Sequence, residues 1–322
     1  VNLQLIEASQ SDAPLIVVAG ATASGKSSLA IHLAETFGGE VVSCDSVAVY
    51  REMEIGTAKP SFEERARVPH HMIDIVSPDE ACTAGDYSRG AREALAGIRE
   101  RGHLPIVAGG TGLYLRALIE GLSPAPPRQP ELRAELRRQA SELGPEHGPG
   151  HLHQMLARLD ERAASAIHAN DVSKVIRAIE VSLAAKQPLT EQWQKGRDAL
   201  TGYRILRLGL DPGRERLYER INRRAAEMFD RGLVEETERL VERYGYDCRA
   251  LGSLGYAEAV AVLRGEMTRD EAVAKAQQGH RNYAKRQGTW FRRDGGIQWL
   301  QGAGGDEEVV GSACSLIREW LT

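Results

Sequence analysis

Gly20-Ala21-Thr22-Ala23-Ser24-Gly25-Lys26-Ser27 satisfies G-x-x-x-x-G-K-[ST] at every fixed position. Before it, residues 15–19 form a short apolar run, the mark of a buried strand. After it, Leu29, Leu33 and Phe37 recur at helical spacing with Ala30 and Ala34 beside them. Strand, glycine loop and helix together let backbone N–H groups close around phosphate oxygens, and the helix N-terminus adds partial positive charge. The pattern assigns Gly20, Thr22, Ala23, Ser24, Gly25, Lys26 and Ser27 to a phosphate-binding loop. Lys26 would neutralise the outer phosphates, and the Ser27 hydroxyl would hold Mg²⁺, the one cofactor expected. The bland alternative is a glycine turn that caps a helix. Neither reading says which phosphorylated molecule binds.

Further strands are predicted at residues 40–44, 72–76 and 104–108, with helices at 87–101 and 113–120. Strands alternating with helices imply a parallel sheet covered on both faces. Ligands of such sheets lie outside the carboxyl ends of the strands. The phosphate loop, Asp45-Ser46 and Thr111 each follow a strand, so the pattern sets them along one rim. A proline-rich connector at 123–130 changes the character of the chain. Helices at 131–143, 151–167 and 172–185 follow, with a glycine–proline loop at 144–150 and no strand pattern. The sheet resumes at 204–210, and Asp211 before Pro212 reads as the N-cap of a helix at 214–231. That helix carries Arg216, Arg220, Arg223 and Arg224 beside a buried stripe of Leu217, Ile221 and Met228. A helix at 233–244, a glycine-marked turn at 251–256, a helix at 270–292 and a strand at 297–300 complete the reading. The expected organisation is an arm (1–13), a core (14–123 and 201–322) and an all-helical insertion (124–200). The fold class is α/β, a P-loop NTPase-like parallel sheet flanked by helices.

The 322 residues carry a formal net charge of −4, so no global positive field draws in nucleic acid, and any such site must be a local patch. The four cysteines are scattered without C-x-x-C, which speaks against a zinc knuckle or disulfide framework and for reduced thiols in the cytoplasm. No apolar run reaches membrane-spanning length, and Glu7 and Asp12 interrupt any signal peptide. One local patch stands out. Arg281, Lys285, Arg286, Arg292 and Arg293 are unopposed by acids and interleaved with Tyr283, Trp290 and Phe291. Cations for phosphates and rings for unstacked bases suit RNA; a basic helix packing by its aromatics fits this stretch equally well. His70-His71 invites a metal reading, but adjacent histidines rarely aim at one ion, so a structural role is expected.

The ordered motifs resemble the tRNA dimethylallyltransferase (tRNA isopentenyltransferase) family across nearly the whole chain. The blocks are Gly20–Ser27, Asp45-Ser46 with Tyr50, the Gly56–Pro60 run, Val68–His71 with Ile73-Asp74-Ile75, and the Gly109–Ala117 run. Asn170-Asp171 with Arg177–Glu180, and Ala284–Gln287 with Thr289–Arg292, complete the set. The resemblance implies transfer of the dimethylallyl group of dimethylallyl diphosphate to the exocyclic N6 amine of the adenosine just 3′ of a tRNA anticodon. Diphosphate is released, and the loop then binds the donor's diphosphate. Asp45 resembles the family's general base, Thr111 its threonine at the reacting end of the diphosphate, and Arg220 a cation on the leaving group. Arg223 and Arg224 are alternatives for that last contact. The resemblance assigns Asp45, Ser46, Val47, Ala48 and Thr111 to the pocket for the adenosine. It assigns Lys174, Arg177, Arg281, Lys285 and Arg286 to the anticodon stem-loop. A monomer in the cytoplasm is expected. The chain departs from the family at Ala48, where glutamine is frequent, at Ala257, where lysine is usual, and at His280, where threonine often stands. It ends without the zinc-finger extension of some eukaryotic relatives, which implies a bacterial-type or organellar-type enzyme.

Three other readings compete with tRNA prenylation. An adenylate isopentenyltransferase would use the same loop, but the insertion and the basic patch argue for a polymer substrate. A small-molecule kinase would also use the loop, with Asp45 as base. A non-catalytic RNA-binding protein would use the loop as a switch.

Overall fold

The computed structural model describes residues 12–194 and 196–322. The expected arm lies outside the described residues except for Asp12 and Ala13, and Ala13 already begins the first strand. Two compact units emerge. Of the described residues, one holds those up to 119 together with 200–322, and the other holds those of 120–199.

The first half of the core unit runs β1 (Ala13–Gly20), α1 (Lys26–Phe37), β2 (Gly39–Cys44), α2 (Phe62–Arg67), β3 (His70–His71), α3 (Ala84–Glu100), β4 (Leu104–Gly109) and α4 (Gly112–Ile119). The insertion holds α5 (Pro130–Glu142), α6 (Gly144–Leu159), α7 (Glu161–Ala166), α8 (Val172–Ala185) and α9 (Leu189–Gln194). The core resumes with β5 (Tyr203–Asp211), α10 (Arg214–Asp230), α11 (Leu233–Tyr244), α12 (Tyr256–Leu263), α13 (Arg269–Phe291), β6 (Ile297–Gln301) and α14 (Glu307–Leu321). The six strands are all parallel, in the order β3-β2-β4-β1-β5-β6.

The apolar run of β1 splits by the period of two that a strand imposes. Leu15, Val17 and Ala19 join Val42, Val107 and the α3 stripe of Tyr87, Ala91, Leu95 and Ile98 on one face. Ile16 and Val18 join Val41, Ile106, Leu208, Leu29 and Leu33 on the other. Both faces are buried, which is why the central strands read as continuous hydrophobic runs. Each large aliphatic chain in these layers contributes about 1.5–3 kcal/mol. Register pairs Ala19 with Gly109, Cys44 with Gly109, and Gly20 with Leu210, so the carboxyl ends of four strands share one rim.

The structure corrects several sequence readings. The third strand is not 72–76 but His70–His71, two residues upstream. Met72 (φ 62°) and Asp74 (φ 57°) are left-handed, which breaks the extended run, and only Val76 forms a lone bridge, to Tyr50. Ion pairs from Lys59 (2.5 Å) and Arg65 (2.7 Å) hold the Asp74 carboxylate. The segment 144–150 is not a loop but the opening of α6. Gly148 is a packing glycine, since a Cβ there would lie 2.0 Å from the Ala140 carbonyl oxygen on α5. The helix read over 151–167 divides at Asp160, which caps α7. Asp211 ends β5, and Gly213 takes the N-cap of α10. Helices α12 and α14 escaped the sequence reading.

The insertion has a core of its own, with Leu136, Leu152, Leu156, Val175, Ile176 and Ile179 buried together. Glu180 is fully buried there and accepts from the Gln129 N–H, Arg133 and Arg177. Among the described residues, no helix is long and apolar enough to cross a membrane.

Candidate active site

The loop between β1 and α1 reaches its turn through Gly25, which is left-handed at φ +93°. Its backbone rests on the segment after β6, where the Gly304 N–H donates to the Ser24 carbonyl at 2.9 Å. Helix α1 opens with no side-chain cap, so its first-turn N–H groups face outward as an anion site. Lys26 is half-buried, and its Nζ donates to the Ala21 carbonyl at 2.6 Å. Burial pushes its pKa down to about 8. Asp45 opposes that shift and Arg224 adds to it. Ser24 is fully buried, and its hydroxyl has no partner.

Gln287 fixes the loop against the rim. Its Oε1 accepts the Thr22 N–H at 2.8 Å, and its Nε2 donates to the Gly110 carbonyl at 2.8 Å. Gly110 leaves room for that amide, since a Cβ would stand 2.2 Å from Nε2. One buried side chain on α13 therefore joins the phosphate loop to the β4 turn.

Asp45 follows β2 directly. Its Oδ1 accepts the N–H groups of Val47 (2.8 Å) and Ala48 (3.3 Å), an Asx turn that shapes residues 45–48. No hydrogen bond from the described residues reaches Oδ2. Thr111 opens the turn before α4. Its Oγ1 accepts the Ser46 N–H at 3.0 Å and donates to the Ser46 hydroxyl at 3.3 Å. Asp45, Lys26, Ser27, Ala48, Arg224 and Tyr283 line one cavity of about 100 Å³. The acid and the phosphate loop therefore meet. Tyr283 contacts Thr111 there, and burial followed by the nearby Asp45 raises its pKa.

The three arginines of α10 part ways. Arg220 supports the loop from its flank, with Nε donating to the Ala23 carbonyl at 2.7 Å. Arg223 is exposed and pairs with Glu227 at 3.7 Å. Arg224 is the one that lines the cavity, bonded to Thr22 Oγ1 at 3.3 Å and to the Thr57 carbonyl at 3.5 Å. Its buried Nε lacks a partner, and burial lowers its pKa. Sequence reasoning named Arg224 only as an alternative, and it passed over Gln287 and Tyr283 as site residues.

The residues assigned to RNA are dispersed. Arg281 bonds to Asn222 and to Gln278 (2.7 Å). Arg286 lies over the Tyr283 ring at 5.6 Å. Lys285 is exposed; its carbonyl accepts from Thr289 Oγ1 at 3.0 Å, and its ammonium makes no hydrogen bond or ion pair with the described residues. Arg292 is not unopposed, because it pairs with Asp211 at 3.0 Å. On α8, Lys174 is exposed and paired with Asp171. Arg177 is engaged by Glu180 (2.6 Å) and the Pro126 carbonyl (3.0 Å), so its guanidinium helps to build the insertion.

His70 Nδ1 meets the Val68 carbonyl at 2.7 Å, and His71 Nε2 meets Glu40 at 2.6 Å. Among the described residues, no cluster of three or more His, Cys, Asp or Glu side chains could hold a metal ion. The donor set near the loop does suit Mg²⁺ shared with phosphate. The Ser27 hydroxyl and the Asp45 carboxylate line the same cavity, and Mg²⁺ takes one or two protein oxygens together with substrate phosphates.

The chain matches known proteins along most of its length. A family described as IPP transferase matches residues 48–294, and one described as isopentenyl transferase matches 13–74. The tRNA dimethylallyltransferase of Koribacter versatilis is 60% identical over 308 residues, covering 96% of this chain and 99% of that one. The enzyme of the same name from Solibacter usitatus is 48% identical over 309 residues, again covering 96% and 99%. Among solved structures, the full-length tRNA isopentenylpyrophosphate transferase of Bacillus halodurans superposes with a TM-score of 0.69 at 36% identity, covering 95% of this chain and 96% of that one. A eukaryotic dimethylallyltransferase caught acting on tRNA gives a TM-score of 0.80 at 26% identity, over 96% of this chain and 79% of that one. With the phosphate loop, the rim aspartate and the parallel sheet all in place, the chain belongs to the tRNA dimethylallyltransferase family.

Proposed function

We propose that this protein transfers the dimethylallyl group of dimethylallyl diphosphate to N6 of the adenosine just 3′ of a tRNA anticodon, releasing diphosphate. The observation that carries the reading is that Asp45 shares a cavity with Lys26 and Arg224, an acid beside a cationic phosphate cradle. The loop N–H groups, Lys26 and Arg224 bind the diphosphate, and Arg220 stiffens the loop through Ala23. An adenine exocyclic amine is a weak nucleophile because its lone pair is delocalised into the ring. The amine attacks the allylic carbon, a C–N bond forms, and the C–O bond breaks with its electron pair leaving on diphosphate. The amine proton passes to Asp45, whose Oδ2 is uncommitted. Cations and N–H donors already aimed at the leaving oxygens stabilise charge as it develops. When bound through Ser27, Mg²⁺ would supply further neutralisation of the diphosphate. Thr111, whose Oγ1 holds the Ser46 N–H, would hydrogen-bond the reacting end of the diphosphate.

The adenosine must unstack to reach Asp45, and contacts with residues 46–48 repay that cost. Phosphate contacts from Lys285, Arg286 and Arg281 on α13, and from Lys174 and Arg177 on α8, hold the anticodon stem-loop. We place the reaction in the cytoplasm and assign it to a monomer. Incubation with labelled dimethylallyl diphosphate and unmodified tRNA, followed by mass spectrometry of the nucleosides, tests the proposal. Prenylated adenosine in tRNA is expected, with none formed when AMP replaces tRNA. Absence of prenylated tRNA while a related enzyme works in parallel sinks it.

A further inference from the structure

Helix α13 walls two cavities. Tyr283 and Gln287 face the one that holds Asp45. Ala284, Lys285, Gly288, Thr289 and Arg292 face another, of about 300 Å³, bounded also by Ala21 of the phosphate loop and by the start of α10. Of its lining, the reading above uses only Lys285, as a phosphate contact, and gives the cavity itself no role.

Its chemistry is mixed in a telling way. Leu210, Pro212, Leu217, Ala284 and Trp299 supply apolar and aromatic walls. Arg214, Lys285 and Arg292 supply cations, and Asp211 is the only acid. That acid is already committed, with Oδ1 to the Gly213 N–H (3.2 Å) and Oδ2 to Arg292 (3.0 Å). The Lys285 ammonium has no partner among the described residues. A flat apolar group carrying an anion fits such a lining.

Gly288 points the same way. A glycine inside a helix costs about 1 kcal/mol relative to alanine, so its presence asks for a reason. Elsewhere on α13 the reason is packing: a Cβ on Gly279 would lie 2.7 Å from Leu254 Cδ2. A Cβ on Gly288 would meet nothing within 4 Å. No protein neighbour explains this glycine, and it opens onto the cavity, where a ligand lying against the helix backbone would need the space.

We propose that this cavity is a second nucleotide site. It takes the base of an unstacked anticodon-loop nucleotide next to the reacting adenosine, with Lys285 on its phosphate. The proposal rests on the tRNA reading above and deepens it. The base packs between Leu217 and Trp299 over Gly288. Stacking on ring faces is tolerant of base identity, so the site holds register more than it reads sequence.

Gly288→Leu projects a side chain into the cavity from a position where a Cβ meets nothing within 4 Å, and it replaces a poor helix former. Its melting temperature should match or exceed that of the parent protein, and its affinity for inorganic diphosphate should be unchanged. KM for an anticodon stem-loop should rise roughly tenfold, with kcat nearly preserved. Lys285→Ala should raise KM in the same direction. If wild-type protein prenylates the stem-loop and neither variant changes KM, the nucleotide site is wrong and the proposed reaction stands. If wild-type protein prenylates no RNA, the reaction itself fails. If Gly288→Leu lowers kcat and diphosphate affinity together, the change has distorted the phosphate loop, and the assignment falls. If AMP or UMP binds wild-type protein and is lost in Gly288→Leu while stem-loop KM is constant, the occupant is a free nucleotide, and the RNA assignment is overturned.

Discussion

Glu40 and Asp45 stand at opposite ends of β2, and their surroundings are opposite too. Glu40 is buried and saturated: Arg101 donates to it from Nε (2.8 Å) and Nη2 (2.7 Å), and His71 and His103 each meet it at 2.6 Å. Asp45 spends one oxygen on its own turn and keeps the other free of partners among the described residues. The contrast extends to the surroundings of Asp45: Arg224, which lines the same cavity, has a buried Nε without a partner, and the Ser24 hydroxyl in the phosphate loop is likewise buried without one. An unsatisfied buried polar group costs about 1–3 kcal/mol. The same strand thus carries a carboxylate completed by the fold at one end and one left for a substrate to complete at the other.

The sharpest way to break that comparison is Asp45→Asn. The amide oxygen can still accept from Val47 and Ala48, so the turn and the melting temperature should survive. The proton acceptor is gone, and kcat should fall by about 10²–10⁴-fold while stem-loop affinity moves less than threefold. Equal loss of turnover and binding would mean that Asp45 positions RNA instead of taking a proton.

The two ends of β2 were unequally legible in the sequence. The loop and its rim partners were readable because phosphate chemistry needs glycine, lysine and hydroxyl at fixed spacing, and because parallel buried strands are plain apolar runs. Arg224 was not separable from Arg220, since residues one helical turn apart share a face and periodicity cannot choose between them. Gln287 contacts Thr22 across 265 residues, and its one signal is a polar residue in the apolar stripe of Ala276, Ala284 and Phe291. The third strand misled because apolar content at 72–76 promised extension. Tertiary ion pairs hold the Asp74 side chain instead, while the backbone there turns left-handed. The Glu40 cluster could not be read at all. His71 arrives from β3, Arg101 and His103 from the turn between α3 and β4, and no local pattern announces that they converge on Glu40.

Lys26 offers a second, smaller break, because its charge is penalised where that of Glu40 is favoured. Burial lowers its pKa to about 8 from 10.5. Between those values the unfolded chain holds a proton that the free folded protein has lost, so stability should rise with pH through that window. Diphosphate needs the charged amine, so its affinity should move the other way and weaken by up to tenfold per pH unit above about 8. Calorimetric titration of diphosphate from pH 7 to 9.5, beside urea melts of the free protein, reads both slopes. Lys26→Met should bind weakly and show neither. Slopes of the same sign would mean that Lys26 is not desolvated in the free protein.

Glu40 gives the smallest effect on chemistry and the cleanest test of the other half of the contrast. The Arg101 hydrogen bonds, with those of His71 and His103, hold its pKa at about 2 against an ordinary 4.5. A carboxylate with a depressed pKa contributes stability that is full above about 4.5 and is lost as pH falls toward 2. Glu40→Gln should therefore cost about 2 kcal/mol at neutral pH, less than for a wholly buried pair because Arg101 and His103 are half exposed. The gap between variant and parent should close as urea melts are repeated from pH 5 down to 3. Turnover per folded molecule should stay within twofold, because the cluster lies at the far end of the strand from the phosphate loop. A drop in kcat with no loss of stability would mean that the saturated end steers the unsaturated one through β2, and the division of labour along the strand would have to be abandoned.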